Sequence, residues 1–477
     1  MSGSQGKSHG RARPAVARGR CNAAARPERP SRPCAAGREA RRAERCVVGL
    51  TRRHLLVRGA AAVLAGPAIV RASARGADGK RPPSERLTLG SIGLGSMGLR
   101  HVKGFVQETD CRLAAVCDVD ASRRYAAAKV VNTAYGTSDC MAVADFREII
   151  RRPDLDALII AVPDHWHAAL AIRAIRAGKH VYGEKPLAYT IDEGKAIVRA
   201  VRRYGSVWQT GSWQRSTRHF RQACELVRNG RIGKVARVEI GIGTGPTIEP
   251  QPVMPVPDGF DYDLWLGPAP WAPYTEKRCH WNFRWILDYS GGQVTDWGAH
   301  HIDIAQWGMG TDRTGPVAVE GTGVFPGDGL YDAATHYRFT CTYADSRVLE
   351  VASNDRLRQG VRFIGEDGWV HVTRAGLTTQ PADLVRDEIR AGEIHLARPR
   401  GDHRQGHRRD WLDCIRHGGE PITPVEVGHR SITIAHLGNI AMRLGRRVRW
   451  DPETQEILDD PGAAGLMGRN MRSPWTV

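Results

Sequence analysis

The stretch LTLGSIGLGSMG, residues 87–98, constrains the fold most, because it joins a short apolar run to a glycine-rich turn. Its glycines follow the pattern G-x-G-x-x-G between a predicted buried strand and a predicted helix. The first permits a tight turn, the second lets a phosphate approach the backbone, and the third lets the helix lie close to the strand. The turn therefore predicts a dinucleotide whose pyrophosphate meets the helix start. The predicted cofactor contacts here are Gly93, Gly95, Ser96, Met97 and Gly98.

A second apolar run ends at Asp118, which lies 20 residues beyond Gly98. Dinucleotide-binding folds place a carboxylate at about this spacing, where it accepts hydrogen bonds from the adenosine ribose. Because a carboxylate repels a 2′-phosphate, Asp118 favours NAD over NADP, although Arg123 and Arg124 soften that preference. The competing interpretation of Asp118 is a solvated residue at a strand end.

Apolar runs then alternate with helical patterns as far as residue 212, which predicts a doubly wound parallel sheet of the Rossmann type, over residues 87–212. Ligands bind at the carboxyl ends of the strands in such sheets. Two predicted strands, 157–162 and 180–183, end beside polar residues. The cofactor contacts predicted there are Pro163, His167, Glu184 and Lys185.

Beyond residue 212 the pattern changes to strand-like runs that predict one large, mostly antiparallel open sheet in a second α/β domain, residues 213–450. The final residues, 451–477, are predicted to form a tail that packs on the body. An insertion at residues 244–285, rich in proline and aromatic residues, is predicted to pack over a cleft. The predicted strands are 235–242, 317–324, 336–342, 348–352, 360–364 and 369–372.

One predicted helix, residues 293–307, carries Asp296, His300 and Asp303 at positions i, i+4 and i+7. These three side chains share one helix face. A row of two carboxylates and an imidazole is costly unless it lines a polar site, and the alternative is a solvent-facing stripe. His301 points about 100° away and is predicted to be structural.

The net charge of +18 is concentrated at the N-terminus, since residues 1–86 hold 20 Lys and Arg against 5 Asp and Glu. The remaining residues have an ordinary charge balance, so we expect no nucleic-acid partner. Residues 1–50 are predicted to be a disordered basic extension, or the product of a misassigned translation start.

Residues 51–74 resemble a twin-arginine export signal, with Arg52-Arg53 before an uncharged run and Ala72-Ser73-Ala74 as the cleavage site. The mature chain would begin near Arg75, with residues 75–86 as a linker. The alternative is a basic tail that happens to contain two arginines. The uncharged run is too short to span a bilayer, so we expect no transmembrane span in the mature protein. A periplasmic, cell-envelope or secreted location follows, with the signal cleaved or retained as an anchor.

The ten cysteines include no C-x-x-C pair, which argues against a structural zinc site. The histidines His165, His167, His300 and His301 could bind a metal, but their spacing is poor evidence for it. We therefore predict no metal.

Residues 87–477 resemble the glucose-fructose oxidoreductase and inositol 2-dehydrogenase family, called Gfo/Idh/MocA. The resemblance is carried by GLGSMG at 93–98, AGKHVYGEKP at 177–186 and D-x-x-x-H-x-x-D at 296–303. Two late motifs, GHR at 428–430 and RSPW at 472–475, resemble exported bacterial members.

The resemblance implies that Lys185 contacts the reacting hydroxyl and the nicotinamide, that His300 is the general acid or base, and that Asp296 binds substrate and orients His300. A histidine that titrates near neutrality suits the removal of a hydroxyl proton during hydride transfer. The resemblance also implies homo-oligomers formed through the C-terminal sheet. The candidate substrate ligands are Lys185, Gln214, Arg215, Asp296, His300 and Asp303. One departure is Trp213, which stands where relatives carry a polar residue.

These expectations combine into an exported NAD-dependent oxidoreductase acting on a sugar, polyol or glycoside. Because no soluble NAD pool is expected outside the cytoplasm, the cofactor should stay bound and be restored on each turnover. The first alternative is a redox-neutral glycoside hydrolase or lyase of the same fold. The second is a non-catalytic sugar-binding protein that keeps NAD as a structural group.

Overall fold

The computed structural model describes residues 85–477. The predicted basic extension (1–50), the twin-arginine signal (51–74) and nearly all of the linker (75–86) lie outside the described residues. Within residues 85–477 no helix is long and apolar enough to cross a bilayer.

The first part of the described chain forms a six-stranded parallel sheet with the order β3-β2-β1-β4-β5-β6. This order reverses direction at β1, as in doubly wound dinucleotide-binding folds, and confirms the predicted Rossmann sheet. The strands are β1 Leu87–Ile92, β2 Cys111–Cys117, β3 Met141–Val143, β4 Ala157–Ile160, β5 His180–Gly183 and β6 Trp208–Thr210. The helices that connect them are α1 Ser96–Phe105, α2 Ala121–Tyr135, α3 Phe146–Ile150, α4 His167–Arg176 and α5 Ile191–Tyr204.

Local sequence signals explain where these helices begin and end. The side chain of Thr190 accepts a hydrogen bond from the Glu193 N–H (3.2 Å) at the start of α5. The same helix ends at Gly205, whose φ of +63° is a conformation that favours glycine. Between these two caps, α5 buries an apolar stripe against α4.

The second part of the chain forms a nine-stranded sheet with the order β13-β12-β11-β7-β10-β9-β8-β14-β15. Among its described strands only β7 and β10 pair in parallel, so the predicted, mostly antiparallel open sheet is confirmed. Sequence analysis missed β13, β14 and β15, which are short and partly polar. The strands are β7 Val235–Ile242, β8 Ala318–Val324, β9 His336–Thr342, β10 Val348–Ser353, β11 Gly360–Gly365, β12 Trp369–Thr373, β13 Gly376–Gln380, β14 Val448–Asp451 and β15 Glu456–Leu458.

The helix predicted over residues 293–307 is two helices in the structure. The first ends at Asp296, and the second begins at Gly298 after a tight turn in which the Trp297 carbonyl accepts from the His300 N–H (3.0 Å). The helices of this part are α6 Arg218–Arg228, α7 Tyr262–Leu266, α8 Gln293–Asp296, α9 Gly298–Met309, α10 His403–His417, α11 Val425–Leu444 and α12 Pro461–Ala464.

Two late segments return to the first sheet. Helix α10 places Trp411, which is fully buried, against the rings of Phe105 and Tyr182. The tail places Trp475 with its ring centroid 4.7 Å from that of Trp166. The core of the first sheet therefore includes residues from far along the chain.

Candidate active site

A single crevice opens along the carboxyl ends of β1, β2, β4 and β5, where a doubly wound sheet binds its ligands. It runs from the glycine turn to Lys185 and Asp296, and is therefore built by both parts of the chain. The sequence-predicted residues that line it are Gly93, Gly95, Ser96, Met97, Asp118, Pro163, Glu184, Lys185 and Asp296.

The glycine turn has the shape that a pyrophosphate requires. Gly93 has a φ of +85°, and a side chain there would overlap the Ala161 carbonyl. A side chain on Gly98 would overlap the Gly93 carbonyl. Gly95 precedes α1 and provides no side-chain cap, so the first N–H groups of that helix are free to bind an anion. The turn fits the phosphates of a dinucleotide.

Asp118 lies in the crevice just after β2. Its carboxylate accepts hydrogen bonds from the N–H groups of Leu94 (2.7 Å) and Asp120 (2.9 Å). Burial raises the pKa of Asp118, and these two hydrogen bonds oppose that effect. Arg123 also lines the crevice, and its Nε lies 3.2 Å from the Asp120 carboxylate.

The aromatic insertion, residues 244–285, packs over the crevice, as predicted from its sequence. Its backbone is hydrogen bonded to the loop after β2: the Ala121 N–H donates to the Gly259 carbonyl (2.9 Å) and the Asp261 N–H donates to the Val119 carbonyl (3.0 Å). The residues of the insertion that line the crevice are Phe260, Leu264, Trp265, His280, Trp281, Phe283 and Arg284. A dinucleotide in the crevice would lie beneath this cover.

At the end of the crevice, Lys185 and Asp296 form an ion pair. The Lys185 Nζ donates to the Asp296 Oδ1 (2.5 Å) and to the backbone carbonyl of Asp296 (3.2 Å). The Arg284 Nε lies 3.3 Å from the same Oδ1. Burial alone would raise the pKa of Asp296, but the charges of Lys185 and Arg284 outweigh it and lower the pKa. Asp296 therefore stays ionised and holds Lys185 at the crevice.

His300, at the start of α9, was predicted to bind substrate but is not among the residues that line the crevice. It is 5% exposed, and its Nδ1 has no hydrogen-bond partner among the described residues. The rings of Trp213 and Trp297 approach it edge-on, with centroids 6.3 Å away in each case. Burial lowers the pKa of His300 well below its usual value, and the charge of Lys185 lowers it further. His300 is therefore a neutral imidazole near pH 7. The prediction that it titrates near neutrality is wrong, because burial disfavours its protonated form and makes it a weaker base than a solvated histidine.

Three predicted substrate ligands are buried away from the crevice. Arg215 and Asp303 form a bidentate ion pair (2.9 and 2.8 Å), and Asp312 provides a second carboxylate at 2.5 Å from Arg215. These carboxylates raise the pKa of Arg215 against the effect of burial. Gln214 accepts from the Nε of Arg374 (3.2 Å). The three residues predicted to share one helix face therefore do not share one site: Asp296 lines the crevice, whereas Asp303 is buried in the core.

Two predicted cofactor residues have partners within the protein. The two ring nitrogens of His167 lie 2.6 Å from the Pro186 carbonyl and 3.0 Å from the Val162 carbonyl, so the ring sits between the ends of β4 and β5 and can donate to either. Glu184 lies 2.7 Å from the His101 Nε2 on α1, which fixes β5 against the helix that follows the glycine turn. His167 does not line the crevice, whereas Glu184 does.

Sequence reasoning missed Arg284 and Asp164, which both line the crevice. The Asp164 carboxylate accepts from the Ser290 hydroxyl (2.5 Å), and burial raises the pKa of Asp164. Asp164 could have been found because it directly follows the end of a predicted strand. Arg284 had no such signal, since it belongs to an insertion without regular periodicity.

Two family models match this chain. One, described as an oxidoreductase family with an NAD-binding Rossmann fold, matches residues 87–212, and the other, its C-terminal alpha/beta domain, matches residues 222–477. Among curated relatives, the uncharacterized oxidoreductase YrbE of Bacillus subtilis (strain 168) is 28% identical over 48% of this chain and 56% of its own length. The alpha-N-acetylgalactosaminidase of Shewanella oneidensis is 34% identical over 26% of this chain and 27% of its own length. The chain thus spans about half the length, or less, of these relatives.

Solved structures share the fold. The aldose-aldose oxidoreductase of Caulobacter crescentus, complexed with glycerol, superposes with a TM-score of 0.58 at 23% identity, over 76% of this chain and 99% of that chain. The WlbA dehydrogenase of Bordetella pertussis, in complex with NADH and UDP-GlcNAcA, gives a TM-score of 0.55 at 19% identity, over 77% and 99%. The glycine turn, the two sheets and the two family models agree, and the chain belongs to the Gfo/Idh/MocA family of oxidoreductases with an NAD-binding Rossmann domain.

Proposed function

We propose that this protein transfers a hydride between a tightly held NAD and a hydroxyl-bearing carbon of a sugar, polyol or glycoside. The observation that carries the proposal is the continuous crevice from the glycine turn to the Lys185–Asp296 pair. When bound, the cofactor supplies a nicotinamide ring that accepts or returns the hydride. We propose NAD rather than NADP because a carboxylate at the spacing of Asp118 favours a ribose hydroxyl over a 2′-phosphate, a preference that the neighbouring Arg123 softens.

The side chains at the end of the crevice divide the work of moving a proton. Lys185 donates a hydrogen bond to the oxygen of the reacting hydroxyl, and Asp296 holds its ammonium group in position. We assign removal of the hydroxyl proton to His300, whose imidazole burial keeps neutral. The aromatic cover excludes water, so the charges of Lys185 and Asp296 act in a medium of low dielectric constant.

The test uses the purified full-length chain. The bound nucleotide is released by denaturation and identified by mass, and the folded protein is then mixed with sugars and polyols while the absorbance of reduced nicotinamide is followed. We expect Lys185→Met to slow reduction by about 10²–10⁴-fold, and the matched change at the exposed Lys129, Lys129→Met, to preserve its rate. Absence of any nucleotide, or equal activity in both variants, would refute the proposal.

A second candidate is redox-neutral cleavage of a glycoside, favoured by the 34% identical Shewanella relatives named as glycosyl hydrolase family 109 proteins. Transient oxidation of a ring hydroxyl would acidify the neighbouring C–H, and loss of that proton would expel the aglycone and leave a carbon–carbon double bond. Addition of water to the double bond and return of the hydride to the ketone would then complete the hydrolysis. Release of an aglycone without net accumulation of reduced nicotinamide would support this candidate over net oxidation.

We further propose export through the twin-arginine route, with cleavage near Arg75. A protein that crosses the membrane already folded can carry its nucleotide with it, which suits a cofactor lying under a hydrogen-bonded cover. Fractionation followed by N-terminal sequencing tests this. Absence of the protein from outside the cytoplasm would contradict export, and an exported protein that starts upstream of Arg52 would contradict cleavage.

The open face of the nine-stranded sheet is the surface through which we expect a homo-oligomer to form. It carries charges of both signs, with Glu350 bonded to Arg237 and Arg338, and Arg362 lying 3.8 Å from Glu239. Such a face can pair with a second copy of itself. Light scattering on the purified protein measures the assembly, and Glu350→Arg should shift it towards the monomer.

A further inference from the structure

A cluster of two tryptophans and two arginines lies around His300. The guanidinium of Arg374 lies 4.1 Å from the ring centroid of Trp297 and 4.9 Å from that of Trp213. The guanidinium of Arg404 lies 4.1 Å from the centroid of Trp213. These residues come from separate segments: the 3₁₀ turn after β6, the turn between α8 and α9, the hairpin between β12 and β13, and helix α10.

Neither arginine of this cluster pairs with a carboxylate in the described part of the chain. Arg374 has one hydrogen bond, to Gln214, and the buried Nε of Arg404 has no partner there. Burial lowers the pKa of Arg374 to about 10, and the charge of Arg404 contributes. The carboxylates of Asp296 and Glu184 act on Arg374 and Arg404 only from beyond ion-pair distance. The two neighbouring cations repel each other, and a bound anion would remove that cost. The side chain of Arg374 is exposed, so a ligand can reach it.

We propose that the substrate is an acidic carbohydrate whose oxyanion group binds Arg374 and Arg404 beside His300. This inference rests on the oxidoreductase function proposed above and names its substrate class. The oxyanion would receive N–H bonds from guanidinium groups, whose planar donors match carboxylate, sulfate and phosphate groups. Trp213, the departure noted in the sequence, holds both guanidinium groups by cation–π contact.

Binding of the anion also changes His300. The titratable groups that act on its imidazole are Lys185 from the end of β5, His301 from its own helix, Arg374 from the hairpin and Arg404 from α10. Asp296 from α8 acts on Arg374. The two arginines lower the pKa of His300, so an anion that neutralises them raises it. An acidic substrate therefore makes His300 a stronger base than a neutral sugar does.

The test compares glucose, glucuronate, glucose 6-phosphate and a sulfated glucose with the wild-type holoenzyme, Arg374→Gln, Arg404→Gln and the exposed control Arg356→Gln. Binding is followed by tryptophan fluorescence, which needs no turnover, and reduction of the bound cofactor is followed separately. We expect acidic sugars to bind at least about tenfold more tightly than glucose, and each Gln variant at 374 or 404 to lose about tenfold for acidic sugars only. The preferred oxyanion identifies the group, and Arg374→Lys should restore part of the binding.

Equal binding of neutral and acidic sugars by the wild type, or equal losses for both in the two Gln variants, would overturn the acidic-substrate assignment while leaving the oxidoreductase function intact. Arginine-dependent binding of acidic sugars without any reduction of the cofactor would instead overturn the proposed hydride transfer. Thermal melting of each holoenzyme separates loss of binding from loss of folding.

Discussion

Asp296 and Asp303 lie seven residues apart in the sequence, and each forms an ion pair, but the two pairs have different environments. Asp296 pairs with Lys185 at the end of the crevice, where each side chain keeps 13–14% exposure, whereas Asp303 pairs with Arg215 at 1–3% exposure. Asp303 also accepts from the Ser431 hydroxyl (3.0 Å), so its oxygens are filled by the protein. The residue types are nearly the same. The Lys185–Asp296 pair, the open pair, is a candidate for catalysis because it lines the crevice and can still form hydrogen bonds to a ligand. The Arg215–Asp303 pair, the closed pair, stabilises the core.

Replacement of the lysine in the open pair tests this contrast most strongly. We expect Lys185→Met to lower the rate of cofactor reduction by about 10²–10⁴-fold, the usual effect of losing a group that handles a proton. The free energy of unfolding should change little, because Arg284 still pairs with Asp296. Stopped-flow absorbance and urea unfolding measure the two quantities, and a large loss of stability with normal rates would reverse the assignment.

Breaking the closed pair should have the opposite result. Asp303→Asn leaves the buried Arg215 with only Asp312, and should lower the free energy of unfolding by about 3–5 kcal/mol. Activity per mole of bound cofactor should be retained in the molecules that remain folded. Urea unfolding followed by circular dichroism gives the first value, and activity normalised to nucleotide content gives the second. A selective loss of activity would show that Asp303 acts at the site.

The open pair should also give stability a dependence on pH. The pKa of Asp296 is lowered below its usual 3.8 in the folded protein, so its ionised form stabilises the fold above about pH 4. This contribution is lost as the pH falls through the lowered pKa. The difference in unfolding free energy between the wild type and Asp296→Asn should therefore be constant near neutrality and shrink under acid conditions. A difference that grows with acidity would contradict this sign.

The smallest expected effect comes from removing the hydrogen bond that the Ser431 hydroxyl donates to Asp303 of the closed pair. Ser431→Ala removes one hydrogen bond to Asp303 and should cost about 1 kcal/mol of stability, with no change in kcat or KM. Ser431→Thr, which keeps the hydroxyl, is the matched control. Any change in KM would mean that the active site extends as far as the buried Arg215–Asp303 pair.

The sequence predicted the elements whose signals are local. The glycine turn, Asp118 and the Glu184-Lys185 pair follow from the pattern of strands and the residues at their ends. The different environments of Asp296 and Asp303 could not be predicted in this way, because each depends on a partner far away in the chain. Asp296 pairs with Lys185, and Asp303 pairs with Arg215.

Helical periodicity placed Asp296, His300 and Asp303 on one face, but it could not show the tight turn at Trp297 or which neighbours would fill each carboxylate. Arg374 and Arg404 were missed for the same reason. They belong to a hairpin and a late helix, and only the tertiary fold brings both to Trp213.

The backbone bonds of Gly259 and Asp261 to the loop beside Asp118 have a kinetic consequence. On the function proposed above, a nucleotide beneath them would leave only after they break, so each protein molecule would have one hydride acceptor, which a single oxidation would exhaust. We expect a burst of one equivalent with the first substrate alone. Continued turnover then needs a second compound to discharge the same nicotinamide, which gives ping-pong kinetics with parallel double-reciprocal plots.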